Sequence, residues 1–296
     1  MHSYSIKSRP SIQKNWQERF RGDIGNGADG VSAITYNAER DVWVIVRQTS
    51  TVNVGNFYEY KHDLTTTGRQ WTIANGLQDT ESVDWMYGDT FLVTEENRTS
   101  APTEHRMNIM ALTGTNTLDL VRDSVRPNFL PASGWFNNNI GIEGCAYDKA
   151  RDKFYFLYEQ AHASSGWFIW RTDYSGLNTL PLINLAVELS GLATDVSDIT
   201  CDPSKNRLYV LSDIGKRVFV FSANSRKLLE YFTLPSDTVT STSGFGQPEG
   251  LAFDYRKARM VVVGENRQAA MYHIRKCGNK VGIGVETGPA QTQRYL

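Results

Sequence analysis

Seven acidic residues are placed where chemistry could gather. Glu81, Glu143 and Glu249 open, and Glu96, Glu159, Asp213 and Glu265 close, segments that look like β-hairpins. Counting outward from each turn sets Glu81 against Glu96, Glu143 against Glu159 and Glu249 against Glu265. The same count gives Ser197 against Asp213, with Asp198 adjacent, and a neutral Ser32 against Gln48. Directly opposed hairpin residues lie about 4.5–5.5 Å apart at Cβ, and like charges there are destabilising. Such pairs call for a raised carboxyl pKa, a bound cation, or an arginine reaching in. Clustered carboxylate oxygens suit a hard cation, so Ca2+ is the metal to test, with Glu143, Glu159, Glu249 and Glu265 as its ligands; no convergent His and Cys pattern points to Zn2+. Arginines offer the other answer, in which no cofactor is required. Arg98 and Arg267 follow Glu96 and Glu265 in a shared Glu-Asn-Arg, and Lys216-Arg217 follows Asp213. The third use is catalysis, with Glu143 or Glu249 as a base or metal ligand in hydrolysis.

What must position these acids is a segment that recurs five times. Its copies are EGCAYDKARDKFYFLYEQ from Glu143, EGLAFDYRKARMVVVGEN from Glu249, SDITCDPSKNRLYVLSDI from Ser197, GVSAITYNAERDVWVIVRQ from Gly30, and the shorter ESVDWMYGDTFLVTEEN from Glu81. A period of roughly 50 residues marks a propeller or solenoid, in which each unit is one supersecondary element packed on its neighbours. In the third copy, strands are expected over Gly141–Tyr147, Phe154–Glu159, Trp167–Thr172 and Leu180–Leu185. In the fourth they fall over Ser197–Cys201, Arg207–Ser212, Arg217–Ser222 and Leu228–Leu234. Four short strands joined by turns form a propeller blade. The second strands, FYFLY and MVVV, are apolar on successive residues, as strands buried on both faces must be.

The fifth copy has Leu251–Asp254, Arg259–Gly264 and Ala269–Arg275 but no convincing fourth strand, while Asn15–Phe20 sits upstream of the first copy. The expectation is an all-β, five-bladed propeller closed by this N-terminal strand, which removes an exposed sheet edge. The alternatives are closure by Val281–Glu286 or six blades with one degenerate. The chain reads as one domain over 1–296, with 1–29 as arm and closing strand and 277–296 as a tail.

Bulk properties narrow the partners. A net charge of −1 over 296 residues gives no electrostatic reason to expect nucleic acid. No apolar run approaches the ~20 residues of a membrane span, and the first residues lack the apolar stretch of a signal peptide. The expected setting is therefore the cytoplasm or an assembled particle. Cys145, Cys201 and Cys277 show no metal-type spacing and read as buried free thiols. Gly25–Gly30 fits GxGxxG, but it opens a strand instead of linking a strand to a helix, so it reads as a loop. The histidines share no offset between repeats. Trp43, Trp85 and Trp170 read as blade packing. Trp135, in PASGWFNNNIG, is the better candidate for binding, along with the polar loops Ser100–Arg106, Asn128–Asn139 and Pro235–Gln247.

At EGCAYD and EGLAFD, with TEENR and GENR closing the strands that follow, the chain resembles the SdiA-regulated propeller family. More distantly it is similar to esterase-like phytase and gluconolactonase/regucalcin propellers. The resemblance covers roughly residues 30–275 and implies a β-propeller with an acid-lined channel and room for calcium, carried by Glu81, Glu96, Glu143, Glu159, Asp213, Glu249 and Glu265. Ser32 and Gln48 depart from that pattern, as does the missing export signal, and fold resemblance does not confer activity. The function expected is a non-enzymatic interaction or ligand-binding module that meets a protein or glycan through its loops, or a component of a larger assembly such as a phage particle. The alternative is a metal-assisted hydrolase of an ester, lactone or phosphoester at the channel mouth.

Overall fold

The structure, a computed structural model, describes residues 16–24, 30–48, 55–73, 80–95, 107–113, 117–120, 142–159, 167–234, 247–264 and 268–274. Strand β1 (Trp16–Asp23) precedes the repeats. Blade one holds β2 (Gly30–Asn37), β3 (Val42–Gln48), β4 (Gly55–Lys61) and β5 (Thr66–Ile73). Blade two holds β6 (Thr80–Tyr87), β7 (Thr90–Glu95), β8 (Met107–Thr113) and β9 (Thr117–Leu120). Blade three consists of β10 (Gly144–Asp148), β11 (Lys153–Leu157), β12 (Phe168–Thr172) and β13 (Leu180–Asn184), followed by a short helix α1 (Leu185–Glu188). Blade four is β14 (Asp198–Asp202), β15 (Arg207–Ser212), β16 (Arg217–Ser222) and β17 (Lys227–Thr233). Blade five begins with β18 (Pro248–Asp254), β19 (Arg259–Gly264) and β20 (Gln268–Ile274).

Within each blade the strands pair antiparallel in chain order, and the innermost strands form a closed ring: β2 packs on β6, β6 on β10, β10 on β14, β14 on β18, and β18 on β2. The chain is thus a five-bladed β-propeller. Blade five is completed by β1, which pairs antiparallel with β20 from Trp16 opposite Ile274 to Asp23 opposite Gln268. The N-terminal closing strand expected at Asn15–Phe20 is therefore present; Val281–Glu286 lies outside the described residues. Blades one and two are also joined at their outer edges, where β5 and β9 pair in parallel.

Four of the five inner hairpins turn by one device. Asn37, Asp148, Asp202 and Asp254 end the first strand, and the Oδ1 of each accepts backbone amides two or three residues on: Glu39 and Arg40, Ala150, Ser204 and Lys205, and Arg256 and Lys257. The carboxylate or amide thereby stands in for the next turn of backbone pairing. The loop's last residue, Asp41, Asp152, Asn206 or Ala258, takes a φ of 52–57° to re-enter the sheet. Blade two uses the expected tight turn, Tyr87 facing Thr90 across Gly88 and Asp89, with Gly88 at a φ of 51°.

These turns correct the expected pairings. Four-residue loops are even, whereas counting about one central residue assumes an odd loop, so the pairs in blades one, three, four and five are one residue out of step. Gly144 faces Leu157, Asp198 faces Leu211 and Gly250 faces Val263. In blade one the inner strand's bulge adds a second residue of offset, and Gln48 faces Gly30 instead of Ser32. In blade two the register shifts twice, and Thr80 faces Glu95. Ser32, Glu81 and Glu249 all fall where the inner strand's register shifts, the signature of a β-bulge. No acid of the expected pairs is therefore opposed to another in the described ladders.

The core lies between blades. Ala146, Tyr155, Ile169, Val210 and Phe219 belong to one buried cluster between blades three and four. Tyr209, Val218, Val262 and Tyr272 belong to another between blades four and five. Second strands are buried on both faces, as the uninterrupted apolar runs required; all six residues of β19 are buried. Helix α1 is too short to leave a periodic signal in sequence. Asn184 caps it, accepting from the Val187 amide at 3.1 Å. Glu188 then ties it to blade four, accepting from Lys227 Nζ at 3.0 Å and the Leu228 amide at 2.9 Å.

Removing residues 1–23 strips β20 of its partner and leaves an unpaired edge. The truncated protein should lose on the order of 4 kcal/mol, lowering Tm by roughly 10 °C at about 2–4 °C per kcal/mol, and should aggregate near its transition. Calorimetry would show this, and a separately added peptide of residues 12–24 should recover part of the loss.

Candidate functional site

The inner strands approach one another closely enough that side chains become obstacles. A Cβ on Gly144 would lie 2.8 Å from the Ile199 amide nitrogen and 3.0 Å from Asp198, and one on Gly250 would lie 3.0 Å from the Ala33 backbone. The glycine of the recurring Glu-Gly is therefore a packing requirement of the ring.

Two carboxylates sit in this tight axis. Asp198 Oδ1 accepts from Ser82 Oγ at 2.8 Å and from the Ile199 amide at 2.8 Å, and Oδ2 accepts from the Leu251 amide at 2.7 Å. Ser82 Oγ in turn accepts from the Cys145 amide at 3.1 Å. Asp84 Oδ1 accepts from Thr35 Oγ1 and the Trp85 amide, each at 3.0 Å, and Oδ2 accepts from the Tyr147 amide at 2.7 Å. Burial pushes the Asp84 carboxyl up to about 7, against the pull of its hydrogen bonds and of Lys149. Burial also raises Asp198 well above the usual carboxylate range, and the charge of Asp84 adds to the effect. Cys145 and Cys201 are buried free thiols whose pKa values burial raises, so neither is an activated nucleophile.

Asp84 also lines the floor of a pocket at the end of the channel where the inner strands finish. Thr35 and Thr200 complete its polar lining, and Tyr36, Trp85, Tyr147, Phe253 and Tyr255 supply aromatic walls. Lys149, from the turn after β10, stands over it, with Nζ 4.7 Å from the Trp85 ring centroid and 5.8 Å from that of Tyr255. The space left inside, about 30 Å³, holds one or two waters. An aromatic-lined concavity with a few convergent polar groups is the usual form of a small-ligand site.

The acids expected from sequence lie at the other end, where the inner strands begin. Glu81 and Glu249 occupy the bulged starts of β6 and β18. Glu143 precedes β10, buried, with its amide bonded to the Leu157 carbonyl at 3.1 Å. Glu159 follows β11, and its carbonyl accepts from the Val196 amide at 2.8 Å. Asp213 follows β15 and is ion-paired with Lys216. Lys216 is one of the two cations expected there; the other, Arg217, donates to the Leu192 carbonyl and lies 5.5 Å from the Tyr231 ring centroid. Among the described residues no three His, Cys, Asp or Glu side chains converge as a metal set. Glu96, Glu265, Arg98, Arg267 and Trp135 lie outside the described residues. Of the tryptophans read as packing, Trp43, Trp85 and Trp170 are all buried.

Sequence reasoning passed over Asp84 and noted Asp198 only as a neighbour. The available signal was a break in the repeat: Asp198 occupies the place that Gly144 and Gly250 hold in their copies.

The sequence model of the SdiA-regulated family matches residues 12–272. The chain belongs to the SdiA-regulated family. No curated protein matches it in sequence. Among solved structures it is similar to a luciferin-regenerating enzyme at 12% identity, covering 88% of this chain and 96% of that one with a TM-score of 0.49. A chain from a nidogen/laminin complex matches at 14% identity over 82% of this chain and 80% of that one, with a TM-score of 0.47. A gluconolactonase from Xanthomonas campestris matches at 10% identity over 92% and 99%, also with a TM-score of 0.47. Likenesses at this level say nothing of substrate or partner, and the blade count rests on the strand pairing.

Two outcomes follow for the axis. Asp198→Ala leaves the Ser82 hydroxyl and the Ile199 and Leu251 amides unanswered and should cost about 3 kcal/mol or more in urea denaturation. The pH dependence has a definite sign, because Asp84 and Asp198 hold their protons to higher pH when folded than the ordinary 3.8. Their stabilising contribution is complete below that value, and that of Asp84 is lost as pH rises through about 7. Burial raises the Asp41 pKa, but hydrogen bonds from Lys257 and Tyr36 and nearby cations override it, leaving the value at about 2, so it acts in the opposite sense and only in acid. The urea midpoint should therefore fall between pH 5 and pH 7.5, and Asp84→Asn should flatten that slope.

Proposed function

We propose that this chain is a non-enzymatic binding propeller that accepts a small ligand, or a small group presented by a larger partner, at the turn-end mouth of its channel. The observation that carries this reading is the occupation of the axial carboxylates. Each of Asp84 and Asp198 already accepts three hydrogen bonds, mostly from backbone amides of the ring itself. A general base needs a carboxylate oxygen within reach of a substrate proton. Here the oxygens hold strands together, and what remains open above Asp84 is an aromatic-walled concavity suited to recognition.

Catalysis and binding separate in two measurements. Purified protein, assayed after chelation and again with added Ca2+, should show no turnover of a lactone, an aryl ester or an aryl phosphoester above buffer. Turnover that disappears in Glu143→Gln while the fold is kept would replace this reading with a hydrolase. In ligand-observed NMR, a library of small fragments should give hits that weaken at least threefold, about 0.6 kcal/mol, in Tyr255→Ala. Hits indifferent to that substitution would move the binding site elsewhere.

A further inference from the structure

The cations at the turn end of the propeller follow a rule that Lys149 breaks. Arg151 pairs with Asp148, Lys205 with Asp202, Lys257 with Asp41, Arg259 with Asp254, and Arg40 with Asp89 and Glu59. Lys149 belongs to the same set of turns, yet its ammonium lies against two aromatic rings from different blades, Trp85 of blade two and Tyr255 of blade five. It therefore reaches from blade three across the channel mouth. The charge below it is Asp84, whose carboxyl feels the Lys149 charge. A second cation at the mouth also faces a ring while keeping an ion pair: Arg256 lies 5.4 Å from the Tyr36 ring centroid, donates to its hydroxyl at 2.6 Å and pairs with Asp254 at 3.8 Å.

Aromatic faces attract cations, and the attraction strengthens when water is excluded. An ammonium between two rings with a carboxylate beneath is the arrangement that recognises organic cations. We propose that the turn-end mouth is a receptor for an organic ammonium group and that Lys149 is its resident occupant, displaced when a ligand ammonium enters. This rests on the reading of the mouth as a ligand site and names the class of ligand. The small residual space fits an occupied receptor, because the lysine fills the place between the rings that the ligand head would take. A tethered occupant competes at high effective concentration, and the apparent affinity of any ligand falls by the fraction of time the site is open. Lys149 is exposed and sits in a turn, so its removal leaves the ring's packing untouched.

Choline and its uncharged isostere 3,3-dimethylbutan-1-ol have nearly the same shape, which isolates the contribution of charge. Both are titrated calorimetrically into the full-length protein and into Lys149→Ala, with melting temperature as the folding control. Lys149→Ala should bind choline about fivefold or more tighter than the parent chain does, and about fivefold or more tighter than it binds the isostere. Tyr255→Leu in the Lys149→Ala background should weaken choline binding more than isostere binding. Equal binding of the two probes overturns the ammonium assignment while leaving a ligand site in place. Equal choline affinity with and without Lys149 overturns its role as occupant. Failure of both probes to bind Lys149→Ala overturns the ammonium receptor; if the fragment hits at Tyr255 are absent as well, the ligand site falls with it.

Discussion

Asp84 and Asp198 together reach all five blades. Asp84, on β6, joins the Thr35 hydroxyl of β2 to the Tyr147 amide of β10; Asp198, on β14, joins Ser82 of β6 to the Leu251 amide of β18, and Ser82 also receives the Cys145 amide of β10. A propeller's inner strands cannot pair with one another as a sheet, so the axis holds amides that need acceptors from elsewhere. A carboxylate with two oxygens can serve two blades at once. Burial makes the charged form costly, and the hydrogen bonds offset part of that cost. The glycines beside them follow from the same constraint, because acceptors reach across the ring only if the strands lie nearly in contact.

The architecture was legible because each level of the sequence agreed with the next. The period gave the blade count, the doubly apolar second strands gave burial between blades, and the missing fourth strand of blade five pointed to the N-terminus. Arg207–Ser212, Arg217–Ser222 and Arg259–Gly264 form strands with the bounds expected of them. The register was not legible in the same way. Whether a loop has three or four residues depends on a single left-handed residue at its end, such as Asp152 or Ala258, and nothing in composition fixes that at a non-glycine position.

The candidate site shows a different limit. Recurrence drew attention to Glu143 and Glu249, and the Glu-Gly they share turned out to report packing: a glycine where inner strands nearly touch, in blades three and five. The groups that distinguish one place on the ring from the others stand where copies differ. Asp198 replaces a glycine, and Asp84 belongs to the one copy with a shortened turn. In a repeat protein a departure shared by no other blade is the better pointer to an individual role, since the shared positions are already explained by stacking.

The pairing of β1 with β20 sets the order in which this molecule can be completed. Residues 16–23 leave the ribosome before the other strands of the ring, and their partners at 268–274 after them, so β1 waits for all the intervening blades before it has an edge to join. Blades one to four can form from strands contiguous in sequence while it waits. Blade five and the closed ring arrive together in one final step. Until then two open edges, one at each end of the growing stack, face the cell, and the time spent in that state, more than the stability of the finished ring, sets the demand for protection during synthesis.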